Sequence, residues 1–383
     1  MIKTYINCMK TLTTINKALS KYSACLAALL FISSIAGTVS AQTKEKKKVK
    51  PFEVGIGLSG AYDNNILKYS DKYLERFMNN EDEGRFHIKT YDDIIVKPSL
   101  QIAYSFNVFK KQKSKINLSA NYSSYVLNDV KNWSFFTAGF QQNFAKKASV
   151  RIYYSYVPEF YVRHFRDSDR AEVYGYIPET FVPFSFSKDD YGIWVQNTFF
   201  KNTRVRLSLN YNQYFHNTHF TEYDCDNFVY GILINQPVAK KLKVEFSYEF
   251  TTSDAKATDA DPELDADADN VSDLFALDIA WQLPAVLKLK HELSAGADFS
   301  KRYYITNNYI ELDPEHAGRV DNVLNLQVNY NVKLSKALEL NAFFKWFGRD
   351  SRTTSDINSE YVSEEKDYTQ YQVGLELDYG FKF

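Results

Sequence analysis

The chain of 383 residues contains little cysteine, little glycine and almost no net charge. Its 3 cysteines are Cys8, Cys25 and Cys225. The first two lie in an N-terminal segment that we expect to be removed, so no internal disulfide is predicted. The 14 glycines argue against a low-complexity chain. A net charge of −1 gives no reason to expect nucleic acid as a partner.

Long apolar runs are also missing, because no stretch after residue 41 reaches the roughly 18 apolar residues of a membrane helix. The run ACLAALLFISSIAG follows several lysines and precedes small residues at 39–41. This pattern predicts a cleaved signal peptide over residues 1–41, with an uncleaved anchor or a lipidated Cys25 as less favoured alternatives. Residues 42–51 would then form a basic periplasmic tether, and residues 52–383 the folded domain.

Phenylalanine and tyrosine are abundant, at 29 residues each. They fall in segments where apolar and polar residues alternate. In the final stretch, YQVGLELDYGFKF, odd positions from Tyr371 to Phe383 are apolar, and even positions are polar or glycine. A period of two predicts β-strands that have one apolar and one polar face.

Fourteen such segments can be placed along the chain. We predict strands near 52–62, 94–109, 116–127, 132–144, 149–157, 188–200, 204–215, 226–237, 242–252, 273–284, 287–303, 320–332, 338–347 and 369–383. Short connections, many of them rich in lysine, follow the even-numbered strands, and mostly longer polar connections follow the odd-numbered strands. The 63–93 connection contains SDKYLERFMNN, which could form a short helix and fill the interior.

Two architectures fit this pattern: a soluble sandwich with a buried apolar face, or a membrane barrel with that face turned outward. Three features favour the barrel. The segments have the length of strands that cross a bilayer at a tilt. Short and long connections alternate, as an up-and-down barrel requires. Charged residues occupy the opposite phase in mid-strand, which suits a wet interior. We therefore predict an all-β, up-and-down antiparallel transmembrane β-barrel of about 14 strands, with short periplasmic turns and long extracellular loops.

The last strand ends in phenylalanine with apolar residues at alternate positions before it. It resembles the assembly signal of Gram-negative outer-membrane β-barrels, which the barrel-assembly machinery reads during insertion. The stretch YDNNI at 62–66 is also similar to the first-loop opening of uncharacterised porin-like barrels. The resemblance implies location in the cell outer membrane, among lipid and lipopolysaccharide. The residues of the predicted assembly signal are Tyr371, Val373, Leu375, Leu377, Tyr379, Phe381 and Phe383.

Charged residues on the polar phase are expected to point into the lumen. They could form an electrostatic lining that selects solutes, or paired ladders that fill the interior. Both signs of charge occur, so strong ion selectivity is not predicted. The predicted lining residues are Arg204, Arg206, Glu245, Glu249, Lys288, Lys290, Glu292, Asp298, Glu339, Lys345, Glu376 and Asp378.

The connection TDADPELDADADN is rich in carboxylates, which are ligands that Ca²⁺ prefers. Asp261, Asp265, Asp267 and Asp269 are the candidate metal ligands, although Asn270 replaces the glycine expected of an EF-hand loop. A solvated acidic hairpin tip is the favoured interpretation. No other cofactor is predicted.

No enzyme is predicted. His216 and His219, with Glu222 and Asp224 nearby, could be metal ligands, but surface polar residues are the favoured interpretation. The predicted function is passive passage of small hydrophilic solutes through the lumen. The alternative is a non-conducting surface barrel whose acidic outer loops bind ions, lipopolysaccharide or an external partner.

Overall fold

A computed structural model describes residues 51–81, 84–109, 112–144, 147–256, 268–306 and 308–383. The predicted signal peptide and all of the tether except Pro51 lie outside the described residues. Among those residues, no helix is long and apolar enough to span a membrane.

The described chain is a closed barrel of fourteen strands, each paired antiparallel with its neighbours in sequence. The predicted fold class is confirmed in strand number, connectivity and closure. The strands are β1 (Phe52–Asp63), β2 (Asp93–Phe109), β3 (Gln112–Tyr125), β4 (Trp133–Phe144), β5 (Ala148–Arg166), β6 (Phe181–Phe199), β7 (Thr203–His216), β8 (Cys225–Ala239), β9 (Leu242–Ala255), β10 (Asn270–Gln282), β11 (Lys290–Tyr304), β12 (Arg319–Lys333), β13 (Leu338–Thr353) and β14 (Tyr368–Lys382).

Three short α-helices lie in the long connections: α1 (Asp71–Met78), α2 (Ser168–Tyr174) and α3 (Asp356–Lys366). The helix predicted in the first long connection is confirmed as α1. It begins after Ser70, whose side-chain oxygen accepts a hydrogen bond from the Tyr73 backbone N–H at 3.4 Å. This is the usual way in which a serine satisfies a free donor at a helix start.

The connections divide the barrel into a turn end and a loop end. Both ends of the described chain lie at the turn end, together with the described residues of the short connections: 147, 200–202, 240–241, 283–289 and 334–337. The described residues of the long connections lie at the loop end: 64–81, 84–92, 126–132, 167–180, 217–224, 256, 268–269, 305–306, 308–318 and 354–367. The predicted alternation of short and long connections is confirmed.

Strands β1 and β14 close the barrel. Their register runs from Glu53 opposite Lys382 to Asp63 opposite Gln372. Phe52 and Phe383 exchange two backbone hydrogen bonds of 3.1 and 3.0 Å, and their rings stack with centroids 5.5 Å apart. The last residue of the predicted assembly signal therefore lies in the seam of the barrel.

Side chains on the two faces of the sheet differ as the alternation predicts. The apolar residues of β14 are exposed on the outside, with Leu375 at 57%. On β1, Leu58, which lies opposite Leu377, is 54% exposed. Large exposed apolar side chains recur on this outer face around the barrel. A sandwich would bury them in a dry core, so the structure excludes that alternative.

Strands β5, β6 and β13 are longer than predicted. Strand β5 continues to Arg166 through register shifts between Val157 and Phe160 and between Tyr161 and Arg163. Such bulges break the period of two, which is why the pattern appears to end early. Strand β13 continues to Thr353, since β12 pairs with it as far as Arg319 opposite Thr353.

Candidate functional site

The lumen is the space enclosed by the polar face of the sheet. Ten of the predicted lining residues lie within strands, on the phase opposite to the exposed apolar side chains: Arg204, Arg206, Glu245, Glu249, Lys290, Glu292, Glu339, Lys345, Glu376 and Asp378. Asp298 lies on the same face of β11. This placement is geometric, and the role of these residues in solute selection stays a prediction.

Lys288 is the exception. We predicted it in a strand facing the lumen, but β11 begins only at Lys290. Lys288 lies in the turn 283–289 and has a backbone φ of +63°, next to Leu287 at +52°. Val286 and Leu289 pair across this turn. The apolar alternation continues through the turn in the sequence, so it gave no sign of the strand boundary.

Basic and acidic residues occupy different parts of the lumen wall. Strands β2–β7 carry mostly cations toward the interior: Lys97, Lys115, Arg151, Arg204 and Arg206. Strands β9–β14 carry most of the carboxylates: Glu245, Glu249, Asp278, Glu292, Asp298, Glu339, Glu376 and Asp378. Several cations are interspersed among those carboxylates: Lys243, Lys290, Lys333 and Lys345, with Arg302, Arg319 and Arg349 toward the loop end. The closed strand order places these two groups on opposite walls.

Some lumen charges have polar partners one or two strands away. Arg206 donates to the Gln196 side chain at 3.1 Å and lies over the Trp194 ring at 4.7 Å. The Asn235 amide donates to Glu245 at 2.8 Å. Gln327 donates to Asp278 at 3.1 Å. These contacts hold the charged groups along the wall.

Other lumen charges are unpaired. Within the described ranges, Glu249, Asp298 and Asp378 make no ion pair within 4 Å. The same is true of Arg204 and Lys345 in that part of the chain. An unpaired charge in a dry interior costs several kcal/mol, so these groups require water around them.

A cavity of about 570 Å³ lies inside the barrel near the turn end. Its wall includes Glu53, which accepts hydrogen bonds from Lys115 at 2.8 Å and from Lys382 at 2.9 Å. Arg151 from β5 and Asp378 from β14 line the same cavity. Groups from distant strands therefore meet one shared space.

At the loop end, the first long connection packs against the wall instead of extending outward. Ile66, Leu67, Tyr69, Tyr73 and Tyr161 form a buried apolar cluster, in which Tyr69 is only 2% exposed. The Arg163 guanidinium, on β5, donates to the Leu67 carbonyl at 2.7 Å and lies over the Tyr69 ring at 4.8 Å. The connection 64–92 thus bridges from β1 to β5 within the mouth of the barrel.

Two buried aspartates fix the ends of this connection. Asp63 accepts hydrogen bonds from the side chains of Gln370 and Gln372 and from the Asn65 backbone N–H. Asp93, opposite it in register, accepts from the Asn128 backbone and side chain at 2.8 and 2.9 Å. Both carboxylates are almost fully buried, and N–H donors satisfy them.

The long connections also bind one another. Lys72 of α1 pairs with Glu365 of α3 at 2.8 Å, and Lys366 of α3 pairs with Glu315. His219 contacts Asp167 at 2.8 Å. We call these described connections the cap: 64–81, 84–92, 126–132, 167–180, 217–224, 305–306, 308–318 and 354–367.

Further contacts complete the cap. The Arg85 guanidinium donates to Tyr176, which joins the first connection to the third. Burial raises the pKa of Tyr223, and the nearby Glu315 carboxylate adds to this effect. The 217–224 connection therefore approaches the 305–318 connection. The cap forms a ring of contacts around the mouth.

Several charges in and beneath the cap are paired. Burial alone would raise the pKa of Glu315, but Lys366, His316 and Arg319 outweigh it and lower that pKa. Just below, Arg319 binds Asp321 through two hydrogen bonds of 2.7 Å, and both residues are nearly inaccessible. Bidentate pairing of this kind is the strong form of an ion pair.

Lys131 is the exception within the cap. Its ammonium group donates to the Tyr161 carbonyl at 2.7 Å and lies over the Phe160 ring at 4.9 Å. Burial, reinforced by the charges of Arg163 and Lys68, lowers the pKa of Lys131 to about 7.

Within the described residues, the candidate metal ligands are not brought together. His216 contacts Asp224 at 3.4 Å, whereas His219 contacts Asp167. Asp261, Asp265 and Asp267 lie outside the described residues, and Asp269 accepts a hydrogen bond from the Ala255 backbone N–H at 2.6 Å. Across the described ranges, no group of three or more histidine, cysteine or acidic residues is placed to hold a metal.

Sequence reasoning did not find the cap contacts. Asp63 and Asn65 belong to the YDNNI stretch, whose aspartate and asparagines are residues that bind backbone groups in turns. That signal marks a structured loop. Partners such as Gln370 and Asn128 are distant in sequence, and only the barrel closure brings them close.

No family model matches the sequence, and no curated protein matches it either. Solved structures to which this chain is similar include three channels or porins. The channel DcaP of Acinetobacter baumannii is 11% identical, with 89% of this chain and 100% of that chain covered and a TM-score of 0.42. An anion-selective porin from Comamonas acidovorans is 10% identical, with 86% and 98% covered and a TM-score of 0.40. The TodX monoaromatic hydrocarbon channel is 10% identical, with 88% and 91% covered and a TM-score of 0.44.

Proposed function

We propose that this protein is an outer-membrane channel for small hydrophilic solutes. The observation that carries the proposal is the set of unpaired charges on the lumen wall, such as Glu249, Asp298 and Lys345. These groups need water, and the exposed apolar residues on the outside need lipid. A hydrated interior inside an apolar ring provides a path for solutes across a membrane.

The mechanism is diffusion through this water, restricted at the loop end by the cap. The first connection, with α1, lies in the mouth and is held by Asp63, Asp93 and Arg163. Solutes would enter past this connection, travel between the two oppositely charged walls and leave at the turn end. The predicted assembly signal at Tyr371–Phe383 would serve insertion by the barrel-assembly machinery.

The decisive experiment is single-channel recording of the purified, folded protein in planar lipid bilayers. We expect discrete conductance steps. A matched variant in which residues 67–90 are replaced by a short Gly-Ser linker should conduct more, because it removes the part of the cap that lies in the mouth. The wild-type channel proposal fails if the full-length protein shows no conductance above leak.

A second candidate function has its own observation. The contacts among the cap connections would also suit a closed surface on a non-conducting barrel that binds ions, lipopolysaccharide or an external partner. The same recording separates the two functions. Conductance by the linker variant alone would favour the non-conducting barrel, and conductance by both proteins favours the channel.

A further inference from the structure

The cavity near the turn end has an unpaired cation and an unpaired anion in its wall. Arg151 enters from β5 and Asp378 from β14, and both line the same space of about 570 Å³. Within the described part of the chain, neither side chain makes an ion pair. The two groups are therefore free to bind a solute.

Both side chains lie in places that glycine keeps open. A Cβ at Gly139 would come within 2.9 Å of Arg151 Nε, and the Arg151 guanidinium also lies over the Tyr153 ring at 5.6 Å. A Cβ at Gly57 would come within 2.6 Å of Asp378 Oδ1. The two charged groups therefore lie close to the backbone of the neighbouring strand.

The surroundings reinforce the sign at each side. Glu376 precedes Asp378 on the same face of β14. Glu339 lies opposite Asp378 in register but pairs with Lys333 at 3.4 Å, so it adds less free negative charge. On the basic wall, Arg204 and Arg206 face the lumen from β7, two strands away from Arg151. Glu53 is engaged by Lys115 and Lys382, so it adds little free negative charge near the cation.

From this arrangement we infer that the lumen selects small zwitterions, such as free α-amino acids, over uncharged solutes of equal size. The solute carboxylate is attracted toward Arg151 and its ammonium group toward Asp378. The opposed walls stabilise a dipole that lies across the pore, and a neutral polyol gains nothing from them. The cavity volume falls within the roughly 300–1,000 Å³ of typical small-ligand pockets. This inference rests on the proposed channel function.

The test is a liposome-swelling assay with the purified full-length protein and two solutes of nearly equal mass, L-threonine and erythritol. We expect threonine to enter about threefold faster or more, the size of effect that solvent-exposed ion pairs allow. Arg151→Gln and Asp378→Asn should each reduce that preference. Lys301→Gln removes a charge from the outer face and should leave the preference unchanged.

A charge exchange makes the test specific. Arg151→Asp alone should convert the site to one that favours cations, and Asp378→Arg alone to one that favours anions. The double exchange restores one charge of each sign on opposite walls, so the threonine preference should return. Folding of each variant is checked by its heat-modifiable mobility on gels.

The outcomes separate the two proposals. Equal entry of threonine and erythritol into wild-type liposomes overturns the zwitterion inference and leaves the channel in place. No swelling with either solute overturns the channel proposal and the inference together. A double exchange that folds and conducts but fails to restore the preference also overturns the inference.

Discussion

Charged residues on the polar face of the sheet are paired beneath the cap, whereas several in the open lumen are unpaired. Asp321, under the cap, is 2% exposed and binds Arg319 through two hydrogen bonds. Asp298, on the adjacent strand and lower in the barrel, has no ion pair among the described residues. Charged side chains are paired where the barrel is filled, and several are unpaired where the barrel is open.

This difference in pairing indicates which parts of the interior are hydrated. A carboxylate that is removed from water must gain a partner, because its desolvation costs several kcal/mol. A carboxylate that keeps its water needs none. The partners of each charge therefore distinguish filled from hydrated parts of the interior, which strand count alone does not decide for fourteen strands.

The largest expected effect comes from matched substitutions at these two aspartates. Asp321→Asn leaves Arg319 buried without its partner and should lower the free energy of unfolding by about 3–5 kcal/mol. Asp298→Asn removes an unpaired, hydrated charge and should change it by less than about 0.5 kcal/mol. Urea titration of the protein in liposomes measures both. Equal losses would show that the lumen is as dry as the cap.

The second comparison is between neighbouring residues of β14 on the two faces. Leu375→Arg places a charge in lipid and should cost about 2–4 kcal/mol if the position lies near the bilayer midplane. Glu376→Arg faces water and should fold normally, while shifting ion selectivity toward anions. Urea titration and reversal potentials in a salt gradient report these effects. The opposite order of stability would mean that the assigned faces are exchanged.

Lys131 offers a test of dryness within the cap that depends on pH. Its pKa is about 7 in the folded protein, below the value of roughly 10.4 in an unfolded chain. The unfolded state therefore binds more protons between these values, and cap stability should rise with pH across that window. The full penalty applies below pH 7.

Lys131→Met should consequently stabilise the cap by about 1–3 kcal/mol at pH 6, and the gain should shrink toward pH 10. Hydrogen exchange of the backbone amides in the 126–132 connection measures the local opening energy. The control is Lys89→Met, because Lys89 has a 74% exposed side chain. Parallel pH dependence in the wild type and Lys131→Met would contradict a buried, perturbed lysine.

The barrel could be predicted from sequence because its signal is local. Alternation along each strand, as from Tyr371 to Phe383, predicts both the position of the strand and the face that turns outward. Prediction failed where that local signal misleads. Bulges in β5 hide nine further strand residues from the period, and the apolar alternation before Lys290 extends into a turn.

The cap could not be predicted for a different physical reason. Its contacts join residues far apart in sequence, such as Asp63 with Gln370 and Lys72 with Glu365. In the sequence, those residues look like ordinary polar residues of loops. Only closure of the barrel brings them into contact. The lumen residues were found by phase alone, but phase does not tell which of them pair.

The smallest expected effect lies at the turn end, where Glu53 bridges Lys115 and Lys382. Glu53 and Lys115 remain 23% and 29% exposed, and Lys382 is 63% exposed, so solvent screens both pairs. Glu53→Gln should therefore cost less than about 1 kcal/mol of folding stability, in contrast to Asp321→Asn.

The effect of Glu53→Gln on permeation should be clearer, because it removes a carboxylate from the cavity that Arg151 and Asp378 share and shifts the reversal potential toward anions. Asp129→Asn, whose side chain is 83% exposed in the cap, is the control for loss of an exposed charge and should leave the reversal potential unchanged. A loss of stability comparable to that of Asp321→Asn would mean that the turn end is packed as tightly as the cap, and the contrast between the two regions would disappear.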